Sequence, residues 1–228
     1  MGSLSPRAAS WLAWSVASLS IAMFVSVVAL YALARSIQDV TISGTGGLVG
    51  WLLYVPFLAF PVVGALIASR RPNNPIGWIC LAVGLLWMLI ALGDQYHVYV
   101  LAKFGSVSGT LTIDALTQWI WVPPVGLLGI YLILLFPDGK LPSRRWRPLA
   151  WLAGAVMILA SLGVTLAPGP VQGHPGVRNP FGLEEHSWVL VAGTIAVLLL
   201  PVCMLASALS LILRYRRSGV RCASRSSG

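Results

Sequence analysis

Charged residues are scarce in this sequence, and acidic residues are the scarcest of them. Only 9% of the 228 residues are charged, while 57% are hydrophobic, whereas a soluble globular domain carries about 25% charged residues. No stretch between the apolar runs is long and mixed enough to build a core of its own. These absences exclude a soluble enzyme or a soluble binding domain, and we expect a single domain embedded in a membrane.

Catalytic motifs and clustered metal ligands are also missing. The chain has no phosphate-binding loop of the Walker type, no Gly-x-Ser-x-Gly elbow and no His-Glu-x-x-His helix. Its three cysteines and three histidines lack the spacing of a disulfide framework or a metal site. These residues are Cys80, Cys203, Cys222, His97, His174 and His186. We therefore expect no enzymatic activity, no cofactor and no bound metal.

Long apolar runs are what the sequence does contain. A bilayer core is about 30 Å thick, so a spanning helix needs roughly 20 apolar residues. About six runs without a charged residue approach that length: residues 11–34, 47–69, 76–93, 116–136, 149–166 and 187–213. We predict an all-α polytopic membrane bundle over residues 1–213 and a disordered basic tail over residues 214–228. The first run is too long for a cleaved signal peptide, so we expect it to be retained.

The basic residues are distributed unevenly between the segments that join these runs. If the amino terminus is cytoplasmic, the segments facing the cytoplasm hold twelve of the 15 Lys and Arg residues, as the positive-inside rule requires. The outer segments hold five of the six acidic residues. We therefore predict that both termini are cytoplasmic. The net charge of +9 then indicates anchoring to the anionic headgroups of the lipid bilayer, and no nucleic-acid partner.

A polar and aromatic group ends the third predicted helix on its outer side. It comprises Asp94, Tyr96, His97 and Tyr99, and helical spacing places Asp94 and His97 on one side. One interpretation is a shallow site that binds an extracytoplasmic ligand or senses pH through His97. The other is that polar and aromatic residues simply mark the membrane interface.

The start of the same helix carries two further signals. Asn74 can cap the helix and Pro75 can occupy its first turn, where a missing N–H costs nothing. Gly77, Gly84 and Ala91 recur every seven residues. This small face would let another helix approach closely, either one of the same chain or one of a second protomer in a homodimer.

Prolines interrupt three of the predicted helices and raise an alternative function. Helix two contains Pro56 and Pro61, helix four Pro123 and Pro124, and helix six Pro201. Each would free a backbone carbonyl and bend its helix. Such kinks are compatible with a small-molecule transport or permeability protein, although the absence of charge within the runs argues against it. A structural membrane protein without a ligand is a third alternative.

Two segments carry a resemblance to a known family. Residues 71–78 read Arg-Pro-Asn-Asn-Pro-Ile-Gly-Trp, and residues 135–148 read Leu-Phe-Pro-Asp-Gly-Lys-Leu-Pro-Ser-Arg-Arg-Trp-Arg-Pro. With the order of helices around them, they resemble the amino-terminal membrane region of actinobacterial-type sensor histidine kinases, over most of residues 45–220. The turn Pro137-Asp138-Gly139 would reverse the chain at the cytoplasmic face. The residues that would anchor the next helix are Lys140, Arg144, Arg145, Trp146 and Arg147.

The resemblance implies signal input and anchoring in a bacterial plasma membrane, with the kinase carried by a later cytoplasmic part. Residues 214–228 contain neither a phosphoacceptor histidine nor an ATP-binding motif. We therefore expect a membrane sensor region without kinase activity, truncated or stand-alone, that associates with a signalling protein. We also expect Asp138, the one acidic residue on the basic side, to pair with Lys140 or Arg144.

Overall fold

The computed structural model describes residues 5–37, 52, 54–104, 118–171, 174–183 and 188–223. Over these ranges the chain is predominantly helical. The helices are α1 (Pro6–Ile37), α2 (Ala59–Arg70), α3 (Pro75–Phe104), α4 (Val122–Leu135), α5 (Arg147–Thr165) and α6 (Trp188–Ala223). Short 3₁₀ helices at Val55–Leu58 and Arg144–Trp146 precede α2 and α5. Between α5 and α6 lies a small antiparallel hairpin of β1 (Pro170–Val171) and β2 (His174–Arg178).

Four of the described helices are long and apolar enough to cross a membrane. They are α1, α3, α5 with its preceding turn, and α6 as far as Arg214. Val55–Arg70 and Val122–Leu135 are apolar but shorter, and at about 1.5 Å per residue they extend roughly 20–25 Å. The predicted runs 47–69 and 116–136 begin in residues outside the described ranges. The prediction of an apolar, membrane-capable helical bundle is confirmed at this level.

Two helices end later than the apolar runs that predict them. α3 continues past Gly93 to Phe104, and α6 continues to Ala223. The helical backbone therefore includes residues 214–223 of the predicted disordered tail. A charged residue limits how far a run can lie in lipid, but it does not stop a helix, and Arg is a good helix former.

Most of the prolines that were expected to bend helices lie in the first turns of helices instead. Pro61 lies in the first turn of α2, and Pro123 and Pro124 lie in the first turn of α4. In that position the missing N–H leaves no helical carbonyl unpaired, so the kinks expected there do not follow. The irregular part of α4 is a π-helical segment, Leu127–Leu132. Pro201 does lie inside its helix.

The amino-terminal half consists of α1, α2 and α3 packed on one another. Ala17 of α1 packs with Leu81 of α3, and Val27 packs with Met88 and Ala91 further along, so α1 and α3 run parallel. The buried positions of α3 follow steps of four and three, as in a left-handed helical seam. They include Gly77, Leu81, Gly84, Met88, Ala91, Gln95 and Ala102.

The small face predicted on the third helix is occupied by a helix of the same chain. A Cβ added to Gly77 would lie 2.7 Å from the backbone nitrogen of Ala68 on α2. Gly84 similarly leaves no room for a Cβ beside Pro61. These glycines therefore let α2 and α3 approach at backbone distance. A homodimer stays a prediction, but α2 already occupies this face of α3, so the face is not its interface.

The carboxy-terminal half consists of α4, α5 and α6, with a core that includes Ile130, Val156 and Leu200. Gly163 of α5 and Gly193 of α6 meet where these helices cross, and neither leaves space for a Cβ. The Tyr131 hydroxyl on α4 donates a hydrogen bond to the Ala150 carbonyl on α5, at 2.7 Å. The two halves meet mainly where α3 packs against α4.

Candidate functional site

A hydrogen bond joins the carboxy-terminal half of α3 to the residue that precedes the 3₁₀ helix leading into α2. The Tyr54 hydroxyl donates to Asp94 Oδ2 at 2.8 Å. Tyr54 is buried together with Val27, Met88 and Ala91, so its ring extends the apolar core while its hydroxyl reaches the carboxylate. Asp94, a residue singled out from the sequence, is therefore tied to a neighbouring element.

The other residues of the predicted outer group have different surroundings. Tyr96 is 49% exposed. Lys103 Nζ donates to Tyr99 Oη at 3.1 Å and lies 5.5 Å from the centre of the same ring. His97 is half-buried. Asp94 thus contacts Tyr54, and Tyr99 contacts Lys103. The sensing role of this group stays a prediction.

Gln95 is the residue that the sequence reasoning missed. Its side chain is 0% exposed, and neither Nε2 nor Oε1 has a hydrogen-bond partner. It lies one turn beyond Ala91 on the buried stripe of α3. Leaving a buried donor or acceptor unpaired costs roughly 1–3 kcal/mol, and native interiors pair nearly all such groups. The seven-residue step from Leu81 through Met88 to Gln95 is the sequence signal that predicts its burial.

The start of α3 has a different character, because two of its polar side chains, Asn74 and Trp78, are paired. Asn74 Oδ1 accepts a hydrogen bond from the Ile76 N–H at 3.0 Å. Trp78 Nε1 donates to the Pro72 carbonyl at 2.9 Å. The turn that precedes α3 is thus closed by its own side chains, with Pro75 as the first residue of the helix.

The two segments that carry the family resemblance contact each other at this turn. Gly139 has φ +72°, a conformation that favours glycine. It also packs against Asn74 and Pro75 so closely that a Cβ would not fit. Two turns far apart in sequence therefore form one unit, at the amino-terminal end of α3 and the carboxy-terminal end of α4.

Asp138 pairs with neither Lys140 nor Arg144. Its partner is Arg214 on α6, whose Nη2 lies 2.7 Å from Asp138 Oδ2 and whose Nη1 donates to the Phe136 carbonyl at 2.7 Å. The expectation of a local pair is therefore wrong, because the packing of α6 brings Arg214 to the carboxylate instead. Since Asp138 is 66% exposed, the pair contributes at most about 1 kcal/mol. Its geometry nevertheless fastens α6 to the turn.

The predicted anchoring residues lie on the segment that leads into α5. Arg144–Trp146 forms a 3₁₀ turn, and Arg147 begins the helix. Lys140, Arg144, Arg145 and Arg147 are exposed, while Trp146 is half-buried. The turn thus holds its cations outward, next to the start of an apolar helix.

A second Asn-Pro turn lies in the other half of the molecule. Asn179 Oδ1 accepts from the Phe181 N–H at 3.0 Å, the same two-residue step that Asn74 makes. Asn179 Nδ2 donates to the carbonyls of Thr165 and Ala167, each at 2.9 Å. This side chain therefore caps the end of α5, which accounts for its burial in structural terms.

The described residues contain no group of three or more His, Cys, Asp or Glu that could hold a metal ion. No family model matches the chain, and neither a characterised protein nor a solved structure is significantly similar to it. The resemblance to sensor kinase membrane regions therefore stays a prediction. What the geometry offers is one helix, α3, with an unpaired buried amide in its carboxy-terminal half and a turn at its start in which Asn74 and Trp78 are hydrogen-bonded.

Proposed function

We propose that this chain is an integral membrane protein of a bacterial plasma membrane, with six crossings and both termini cytoplasmic. Charge asymmetry in the sequence and the apolar helices support this arrangement. From Pro75 to Gln95, α3 rises about 30 Å at about 1.5 Å per residue, which matches the bilayer core. The Asp94 and Gln95 region then lies at the outer boundary of the membrane.

Within that arrangement we infer a signal-input and anchoring region, the role that the family resemblance implies. The observation that carries the proposal is the contact of Gly139 with the Asn74-Pro75 turn, combined with the Arg214 contacts on the same loop. α3 begins at this unit, and α6 leaves the membrane from it. A displacement of α3 along its axis would therefore act on the exit of α6.

Gln95 supplies the bistable element that such a role needs. A ligand can shift a two-state equilibrium only by the difference in its interaction free energy with the two states. Satisfying the unpaired amide would contribute about 2 kcal/mol, which corresponds to roughly a 30-fold change in the ratio of states. Pairing at the outer end of α3 is thus large enough to act as an input. No catalytic step is assigned to this chain.

The test measures a distance at the cytoplasmic end while the outer end is altered. Cys80 and Cys203 are buried, so spin labels can be directed to Cys222 and to a cysteine introduced by Ser143→Cys, with the protein in lipid nanodiscs. Pulsed electron paramagnetic resonance then gives the distance distribution between them. We expect Gln95→Leu to shift this distribution and Arg214→Gln to broaden it.

Tyr96→Phe is the matched control, because this exposed residue is the immediate neighbour of Gln95 on α3. It should leave the distribution unchanged. If Arg214→Gln broadens the distribution while Gln95→Leu leaves it as in the unaltered protein, the outer end does not communicate with the exit of α6. The signal-input role would then be rejected, although the six-helix topology would stand.

The transport alternative has less support. Three of the five prolines that suggested gated, kinked helices, Pro61, Pro123 and Pro124, lie in the first turns of α2 and α4. Only Pro201 among the five lies in the interior of a described α-helix. We therefore propose no second function.

A further inference from the structure

A cluster of exposed cations lies at the cytoplasmic turns. Arg70 and Arg71 end α2, and the cations of the second turn follow Gly139. The Asn74 N–H donates to the Arg71 carbonyl at 2.9 Å, and Gly139 packs on Asn74. The contact therefore joins two cationic turns into one surface, here called the basic turn surface. It comprises Arg70, Arg71, Lys140, Arg144, Arg145 and Arg147, all exposed.

Among the residues that the structure describes, this surface has no unpaired acidic residue to neutralise it. Asp138 is the only Asp or Glu between residues 95 and 183 apart from Asp114, which lies outside the described residues. Arg214 already holds the Asp138 carboxylate at 2.7 Å. The pair cancels the one negative charge of the turn, so the cations of the basic turn surface keep their full electrostatic attraction for anions.

We propose that the basic turn surface binds the phosphate groups of anionic phospholipids in the cytoplasmic leaflet. The surface adjoins the ends of apolar helices, and half-buried Trp146 sits between Arg145 and Arg147, as aromatic residues do at the headgroup level. One arginine guanidinium group can donate two parallel hydrogen bonds to the oxygens of a phosphate group. An acidic soluble partner would have to compete with headgroups that are already at this depth. The inference requires that the helices cross the membrane, but it does not depend on a signalling role.

The test compares lipids that differ only in headgroup charge. The full chain is reconstituted in nanodiscs of phosphatidylcholine with or without phosphatidylglycerol, and phosphatidylglycerol binding is titrated by native mass spectrometry. Each cation near an anionic leaflet strengthens binding about five-fold. The triple variant Lys140→Gln, Arg144→Gln, Arg145→Gln should therefore weaken phosphatidylglycerol binding about 100-fold. Added salt should weaken lipid binding more in the unaltered protein than in the variant.

The matched control is the triple variant Arg35→Gln, Lys103→Gln, Arg178→Gln, which removes the same number of exposed cations from the last turns of α1 and α3 and from β2. It should bind phosphatidylglycerol as the unaltered protein does. Equal losses in the two variants would mean that only overall charge matters, and would overturn the assigned surface. If inorganic phosphate displaces the lipid fully, the site is one for free phosphate and the lipid assignment fails. Lys140→Gln alone, with an expected five-fold loss, serves if the triple variant does not fold.

Discussion

The two ends of α3 treat their polar groups in opposite ways. At the start of the helix, Asn74 and Trp78 hydrogen-bond to the backbone of their own turn. Toward the carboxy-terminal end, the amide of Gln95 is fully buried and has no partner. Hydrogen-bonded side chains such as Asn74 and Trp78 hold a turn in one preferred geometry, whereas an unpaired amide in an apolar seam is satisfied only by a change of structure. The comparison separates the part of α3 that fixes structure from the part that can respond.

The same contrast holds for the residues next to each end. Gly139 leaves no space beside Asn74, so the cytoplasmic turns are closely fitted. Gly93, which precedes the outer polar group, has nothing within 4 Å of its missing Cβ. Close packing and complete hydrogen bonding thus coincide at one end and are both relaxed at the other.

Gly139→Ala should have the largest effect on this comparison. The new Cβ would meet Asn74 and Pro75, and φ +72° disfavours any residue with a side chain. Overpacking and backbone strain together should lower the free energy of unfolding by about 3 kcal/mol. Thermal unfolding in nanodiscs measures the change.

Gly169→Ala is the control for that prediction. Gly169 also has a positive φ, +104°, but its missing Cβ has nothing within 4 Å. It isolates backbone strain from the loss of fit. If the two substitutions destabilise the protein equally, the contact between the two turns contributes nothing, and the fitted character of the cytoplasmic end is refuted.

Gln95→Met should act in the opposite direction. It keeps a long unbranched side chain but removes the unpaired amide, so we expect a gain of about 2 kcal/mol in unfolding free energy. The same thermal unfolding measurement applies. Gln95→Ala is the comparison, because it also removes the amide but leaves a cavity. A loss of stability in the methionine variant would show that the amide has a partner in the membrane, and the contrast between the ends would disappear.

Tyr54→Phe tests a polar contact of α3 that is paired, next to the unpaired amide of Gln95. It deletes the hydroxyl that donates to Asp94 and keeps the ring in the apolar cluster. Hydrogen bonds to charged groups contribute about 1.5–3 kcal/mol, and the half-buried carboxylate should put the loss near the lower value. Tyr96→Phe removes a hydroxyl from an exposed residue and should change nothing. Equal stabilities of the two variants would mean that the Tyr54 contact is not formed.

The sequence predicted those features that depend on local pattern. Apolar runs located the helices, because the hydropathy of about 20 residues decides whether a segment can lie in lipid. Asp94 was identified because a charge at the end of such a run is conspicuous. Its partner Tyr54 lies 40 positions away, and the Asp138 partner Arg214 lies 76 positions away. Such pairs depend on which helices pack together, and the spacing of residues along a single helix does not contain that information.

Gln95 shows the same limit from within a single helix. Its seven-residue spacing from Met88 predicts burial, yet burial alone does not reveal whether the amide finds a partner. That depends on the neighbouring helices, such as α1, whose buried residue Val27 packs with Met88 and Ala91 of the same stripe and is apolar. The position was readable from the sequence, while its missing hydrogen bonds required the neighbouring helix.

Arg214→Gln should have the smallest effect on stability and the clearest effect on position. The Asp138 side chain is mostly exposed, so the loss of unfolding free energy should stay below about 1 kcal/mol. The substituted side chain cannot span both the Phe136 carbonyl and the carboxylate with charged donors, so the end of α6 should lose its fixed place on the turn. Arg144→Gln is the control, since this arginine is exposed and makes no ion pair among the described residues. Hydrogen exchange of the α6 backbone after Arg214 should rise only in the first variant, and high salt should produce the same rise in the unaltered protein. A rise in hydrogen exchange in both variants would mean that net charge, and not the Arg214 contact, holds the end of α6 on the turn.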